Sequence, residues 1–114
     1  MHIENYSFGT ITVDGKVYER DLIIFPDKIK SGWWRKEGHS LLTEDLDEVL
    51  RYKPEVLIVG RGASNCMEIT SATQRALSEK NIKLFESDTY KAVQLFNELT
   101  RQGKNVVGAF HLTC

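Results

Sequence analysis

Four side chains equipped for metal or nucleophilic chemistry, His39, Cys66, His111 and Cys114, are spread along the sequence. A thiolate at Cys66 with an imidazole from His39 or His111 as its base would make a nucleophilic pair, and amides of a glycine turn would stabilise developing oxygen charge. Spacing does not join these residues. No local pattern gathers four ligands, so no metal is expected, and His111-x-x-Cys114 is explained as well by one side chain packing inward and the other closing the segment. A buried, inert thiol is a sufficient account of Cys66. Cys66, His111 and Cys114 are therefore candidate reactive groups only, and no catalytic residue is assigned.

The segment that reads as a built site runs from Val56 to Ala63. Val56, Leu57, Ile58 and Val59 lack polar alternation, as in a strand covered on both faces, and the strand stops on Gly60-Arg61-Gly62. The two glycines permit a tight or positive-φ path around a cationic side chain. Arg61 can hold a carboxylate or phosphate through paired hydrogen bonds, with Ser64 and the turn amides as further donors; an ion pair with a nearby Asp or Glu is the structural alternative. Gly60, Arg61, Gly62 and Ser64 thus form a candidate small-anion site, placed beyond a strand's carboxyl end where α/β folds hold ligands. The next helix begins near Ser71, too late for the strand-turn-helix of a dinucleotide fingerprint. No Gly-Lys-Ser/Thr follows for a phosphate loop, and no cofactor is expected.

A second dense cluster is Trp33-Trp34-Arg35, followed by Gly38-His39. Adjacent side chains of an extended chain face opposite ways, so one indole can enter the core while the other lies against a groove or a partner. Arg35 can stack on an indole or pair with a carboxylate. Trp33, Trp34, Arg35 and His39 are the candidate interaction residues; the alternative is two aromatic anchors pinning an irregular loop to a sheet.

Elements must position these segments. Residues 8–13 and 17–25 carry strand-forming residues around Asp14-Gly15, a hairpin signal. Asp21 interrupts the second strand and is expected to face solvent or a hydrogen-bond partner, and Pro26 ends it. Leu42, Leu46, Val49 and Leu50 make the apolar stripe of a short helix over 42–52, started by Thr43 or Asp45. Ser71 with Gln74 reads as a capping box for a helix to about residue 80. Residues 82–86 read as a strand, one of Ser87, Asp88 and Thr89 caps a helix over 90–101, and residues 105–112 form the last strand.

At 114 residues, residues 1–114 are expected to form a single domain with one core. Fifteen Lys and Arg against 16 Asp and Glu give a formal net charge of -1, which offers no cationic field for nucleic acid. No apolar run has the length of a membrane span, and residues 1–6 carry neither a basic region nor an apolar run. The expected compartment is the cytoplasm, with two cysteines in no short-spaced motif.

Taken in order, Tyr6-x-Phe8-Gly9-x-Ile11 with its Asp-Gly turn, Trp33-Trp34-Arg35 with Gly38-His39, Pro54 to Gly60 with Gly62, Asn97-x-Leu99 and His111-x-x-Cys114 resemble the adipogenesis-associated domain family. The resemblance covers almost the whole chain. It implies a compact three-layer α/β domain with a central mixed sheet, an added N-terminal β-hairpin and about three helices. It marks Trp34, Arg35, Gly38, His39, Gly60, Gly62, His111 and Cys114 as signature positions, while Arg61 and Asn65-Cys66 depart from the pattern. The family has no generally established reaction, and its mitochondrial relatives include a factor for respiratory complex I assembly. The functional expectation is a noncatalytic protein-interaction or assembly-assistance domain, with small-anion binding at the glycine turn as the alternative. The aromatic loop and the glycine turn are expected to share one neighbourhood.

Overall fold

The computed structural model describes residues 1–114. Ten strands form: β1 (Ile3–Ser7), β2 (Thr10–Val13), β3 (Lys16–Tyr18), β4 (Leu22–Ile24), β5 (Ile29–Ser31), β6 (Ser40–Leu41), β7 (Val56–Arg61), β8 (Glu68–Ile69), β9 (Lys83–Ser87) and β10 (Val106–His111). The helices are α1 (Asp47–Tyr52), α2 (Ser71–Glu79) and α3 (Thr89–Arg101), with a 3-10 turn at Thr43–Leu46 before α1. The central sheet has the order β5-β4-β10-β7-β9. It is mixed: β7 runs parallel to β10 and β9, whereas β4 runs antiparallel to β10 and β5. Parallel neighbours need a crossover, and α2 and α3 supply it between β7, β9 and β10. β1, β2 and β3 form a separate antiparallel sheet, and β6 and β8 a short parallel pair.

The two-residue period of the strands sorts apolar side chains to opposite faces. On one face Leu22, Ile24, Val56, Ile58 and Phe110 pack with Ala92, Val93 and Phe96 of α3 and with Ile3, Ile11 and Val13 of the N-terminal sheet. On the other, Ile23, Leu57, Val59 and Ala109 pack with Val49 of α1, Leu77 of α2 and Trp33. Burial on both faces explains the unbroken apolar run of β7.

Three local departures from the sequence expectation have physical causes. The expected hairpin forms, with Asp14 and Gly15 at φ 49 and 81, but the strand over 17–25 is two strands in two sheets. Glu19, Arg20 and Asp21 carry the chain from β3 to β4, and the Asp21 carboxylate is drawn to the end of β10, where it accepts from Leu112 N at 2.8 Å. The segment 42–52 begins as a 3-10 turn because Asp45 accepts from Leu42 N (2.9 Å) and from Lys36 N (3.2 Å), tying the helix start to the preceding loop. Finally, α2 is capped by Thr70 rather than Ser71: Thr70 Oγ1 accepts from Thr73 N at 3.2 Å, and Gln74 Nε2 donates to Ile69 O. α3 takes Asp88 as its cap, which accepts from Lys91 N at 3.0 Å.

Candidate functional site

The loop after β5 is held by backbone and side chain together. Trp33 N donates to Asp21 O at 2.8 Å, extending the β4–β5 ladder by one rung. That rung turns the Trp33 ring inward, where it is 4% exposed, and its Nε1 donates to Asp45 O at 3.0 Å. The next side chain must face the other way, and Trp34 is 77% exposed. Arg35 turns inward again. It both pairs and stacks: Nη1 donates to Asp21 Oδ2 at 2.8 Å, and the guanidinium carbon stands 4.8 Å from the Trp33 ring centre. Nη2 donates to Gly38 O at 3.3 Å and closes the loop.

Asp21 is the hub. Its Oδ2 also accepts from His111 Nδ1 at 2.7 Å, and its Oδ1 from Leu112 N. Arg35 Nη2 lies 3.1 Å from the same Nδ1. Nδ1 donates in the shorter contact, because the Asp21 carboxylate can only accept. His111 Nε2 is buried without a partner, as is Arg35 Nε. Burial pushes the Asp21 carboxyl up, but hydrogen bonds from His111, Leu112 N and Arg35 outweigh it and hold the group below its usual 3.8. The sequence gives one clue to this hub, a carboxylate breaking an apolar strand. Its partners lie 14 and 90 positions away, which no local pattern can disclose.

At the end of β7 the glycines are required by contact. A Cβ on Gly62 would stand 2.2 Å from the backbone carbon of Cys114, and Gly62 has φ +106. A Cβ on Gly60 would meet Thr89 Oγ1 at 2.8 Å. Thr89 is the clamp beneath the turn: its hydroxyl donates to His111 O at 2.7 Å and accepts from Gly62 N at 2.9 Å. Ala63 N donates to Thr113 O (2.6 Å), and Ser64 N and Cys66 N donate to Cys114 O (3.2 and 3.3 Å). The amides of the turn thus surround backbone oxygens of the 113–114 segment. Arg61 Nε donates to Met67 O, and its Nη1 lies 3.3 Å from Glu86 Oε1. His39 Nε2 lies 3.3 Å from Cys114 Sγ, while the Cys66 thiol is exposed.

The 111–114 segment therefore links the two regions. Arg35 reaches His111, His39 reaches Cys114, and Gly62 abuts both His111 and Cys114. The Arg61 side chain instead turns toward Glu86, and Trp34 lines a surface concavity of about 380 Å³ with Lys30, Trp33, Lys36, Glu44, Asp45, Asp47 and Glu48. None of the four surface concavities is lined by Asp21, Arg35, His111, Arg61, Ser64 or either cysteine. No group of three or more His, Cys, Asp or Glu is arranged to hold a metal ion, and no helix is long and apolar enough to cross a membrane.

A mixed sheet with α-helical crossovers, an added N-terminal antiparallel sheet and a part-buried Asp-Arg-His cluster at the end of the last strand define an α/β protein. The chain belongs to the Mth938-like, adipogenesis-associated domain family, described as proteins of unknown function (DUF498/DUF598), whose family model matches residues 3–111. It is similar to the conserved hypothetical protein PH1505 from Pyrococcus horikoshii OT3, at 26% identity and TM-score 0.84 with 100% of both chains covered. It is also similar to MT938, at 26% identity and TM-score 0.81 over 99% of this chain and 98% of that one. An outer membrane protein from Bartonella henselae shares the fold, at 24% identity and TM-score 0.85 over 98% and 94%.

Proposed function

We propose that the chain is a noncatalytic protein-interaction domain of the assembly-assistance kind, and that it engages its partner through Trp34. The observation that carries this reading is the 77% exposure of Trp34 between two neighbours that are fixed inward, Trp33 at 4% exposure and Arg35 on Asp21. An indole held on a short, anchored loop loses little freedom on binding and offers a large apolar area, the character of an interface anchor. The acid and base groups of the Asp21-Arg35-His111 cluster line no concavity, and that supports a reading without a substrate. Four carboxylates against two ammonium groups line the concavity beside Trp34, which favours a basic segment on the partner, its cation over the indole face. Small-anion binding at Gly60, Arg61, Gly62 and Ser64 ranks second, because Arg61 and the turn amides already have protein acceptors.

The test is affinity capture at low and high salt with wild type, Trp34→Ala and Phe8→Ala, the last removing an exposed aromatic at the turn between β1 and β2. A discrete partner recovered by wild type and by Phe8→Ala, weakened by salt and lost with Trp34→Ala, is the expected result. Equal recovery by Trp34→Ala would overturn the assignment.

A further inference from the structure

Cys66 and Cys114 are far apart in sequence and adjacent in the fold. Cys66 N donates directly to Cys114 O at 3.3 Å, and standard backbone dimensions then keep the two Cα atoms within about 7 Å of one another. Disulfides bridge Cα atoms about 4.4–6.8 Å apart. Both thiols are free, Cys66 exposed and Cys114 partly so. They differ in surroundings: Cys66 Sγ reaches only Ser64 O at 3.8 Å, whereas Cys114 Sγ has an imidazole nitrogen, His39 Nε2, at 3.3 Å. A ring nitrogen at that distance can take the thiol proton and leave the nucleophilic thiolate.

We infer that Cys114, Cys66 and His39 form a thiol-disulfide exchange site whose substrate is a low-molecular-weight disulfide. His39 accepts the Cys114 proton, and the thiolate attacks one sulfur of the small disulfide. The S–S bond of the small molecule breaks, a mixed disulfide forms on Cys114, and one small thiolate leaves. The Cys66 thiolate then attacks the Cys114 sulfur, forming the Cys66–Cys114 bond and expelling the second small thiolate. Two protein thiols are oxidised by two electrons, one small disulfide is reduced to two thiols, and the two protein protons end on the leaving groups. The product staples the glycine turn to the 112–114 segment it already embraces. This site is independent of the Trp34 surface: neither cysteine lines the concavity beside that indole.

The test uses reduced protein and oxidised glutathione, followed by intact-mass and peptide mass spectrometry. Wild type is expected to lose two hydrogens through a transient glutathione adduct and to yield a peptide pair joined through Cys66 and Cys114. Cys66→Ser is expected to stop at a stable adduct on Cys114. Cys114→Ser should form no internal bond and acquire glutathione at Cys66 more slowly. His39→Gln should slow the first step about tenfold near neutral pH and less as pH rises past the ordinary thiol range. Independent adducts on both cysteines without an internal bond, intermolecular dimers in its place, or an unchanged rate in His39→Gln at neutral pH would overturn the proposal.

Discussion

The aromatic loop and the glycine turn both look like recognition sites in sequence, and the fold uses them in opposite ways. In the loop, Trp33 and Arg35 are committed to Asp45 O and Asp21, and their fixation leaves Trp34 facing water. In the turn, the amides of Gly62, Ala63, Ser64 and Cys66 and the Arg61 guanidinium all donate to acceptors within the protein. Residue types suited to binding show what a segment can hold. Only the register of neighbouring elements decides whether the chain itself already holds it.

The sharpest way to break the contrast is to release the loop from its hub. Asp21→Ala leaves the buried guanidinium of Arg35 without its carboxylate and removes the acceptor of Leu112 N, so a loss of about 4 kcal/mol in urea unfolding is expected. The pH dependence identifies the cause. A carboxyl held below its unfolded value of 3.8 gives stability that is full above that pH and is lost as pH falls toward the depressed folded value. The gap between wild type and Asp21→Asn should therefore narrow as pH drops below about 3.8. A gap unchanged between neutral and strongly acidic pH would show that the charge of Asp21 contributes nothing.

Gly62→Ala tests the turn from the opposite side. Its Cβ would overlap backbone of Cys114, which no rotamer can relieve, and the residue would be held at φ +106. Either the residue is strained or the 113–114 segment lifts and forfeits three backbone hydrogen bonds. A cost of about 2–3 kcal/mol follows. A variant as stable as wild type would mean that the turn does not grip that segment.

What could be read from sequence follows the range of each cause. The Asp14-Gly15 hairpin, the apolar run of β7 and the stripe of α3 arise from neighbours in the chain, and their periods announce them. The split between β3 and β4 does not, because the pull on Asp21 comes from His111 and Leu112 at the far end of the sequence. The same holds for the turn: Gly60 and Gly62 signal close approach, but what approaches is Thr89 and the 113–114 segment rather than a ligand. For Trp33 and Trp34, alternation shows that one indole goes in. The ladder contact of Trp33 with Asp21 O decides which.

Arg61→Ala is a gentler probe of the turn. It removes one donor to Met67 O and a half-exposed pairing with Glu86, together worth about 1 kcal/mol. Calorimetry with inorganic phosphate on wild type and this variant sharpens the comparison. The inward commitment of Arg61 predicts no binding heat in either, and millimolar or tighter binding that disappears in the variant would restore the anion reading.

Trp34→Ala should have the smallest effect on stability and is the most decisive for the comparison. A side chain that is 77% exposed contributes within about 0.5 kcal/mol of nothing, so unfolding curves of wild type and variant should nearly superpose. The chain has two tryptophans, which allows an optical check that does not depend on unfolding. Iodide should quench Trp34 and spare the buried Trp33, so wild-type emission should contain one quenched and one protected component, and Trp34→Phe should retain only the protected one. If the Ala variant instead loses more than about 1 kcal/mol, or if both components survive in Trp34→Phe, then Trp34 is an anchor like its neighbour. The difference between the two regions would vanish with it.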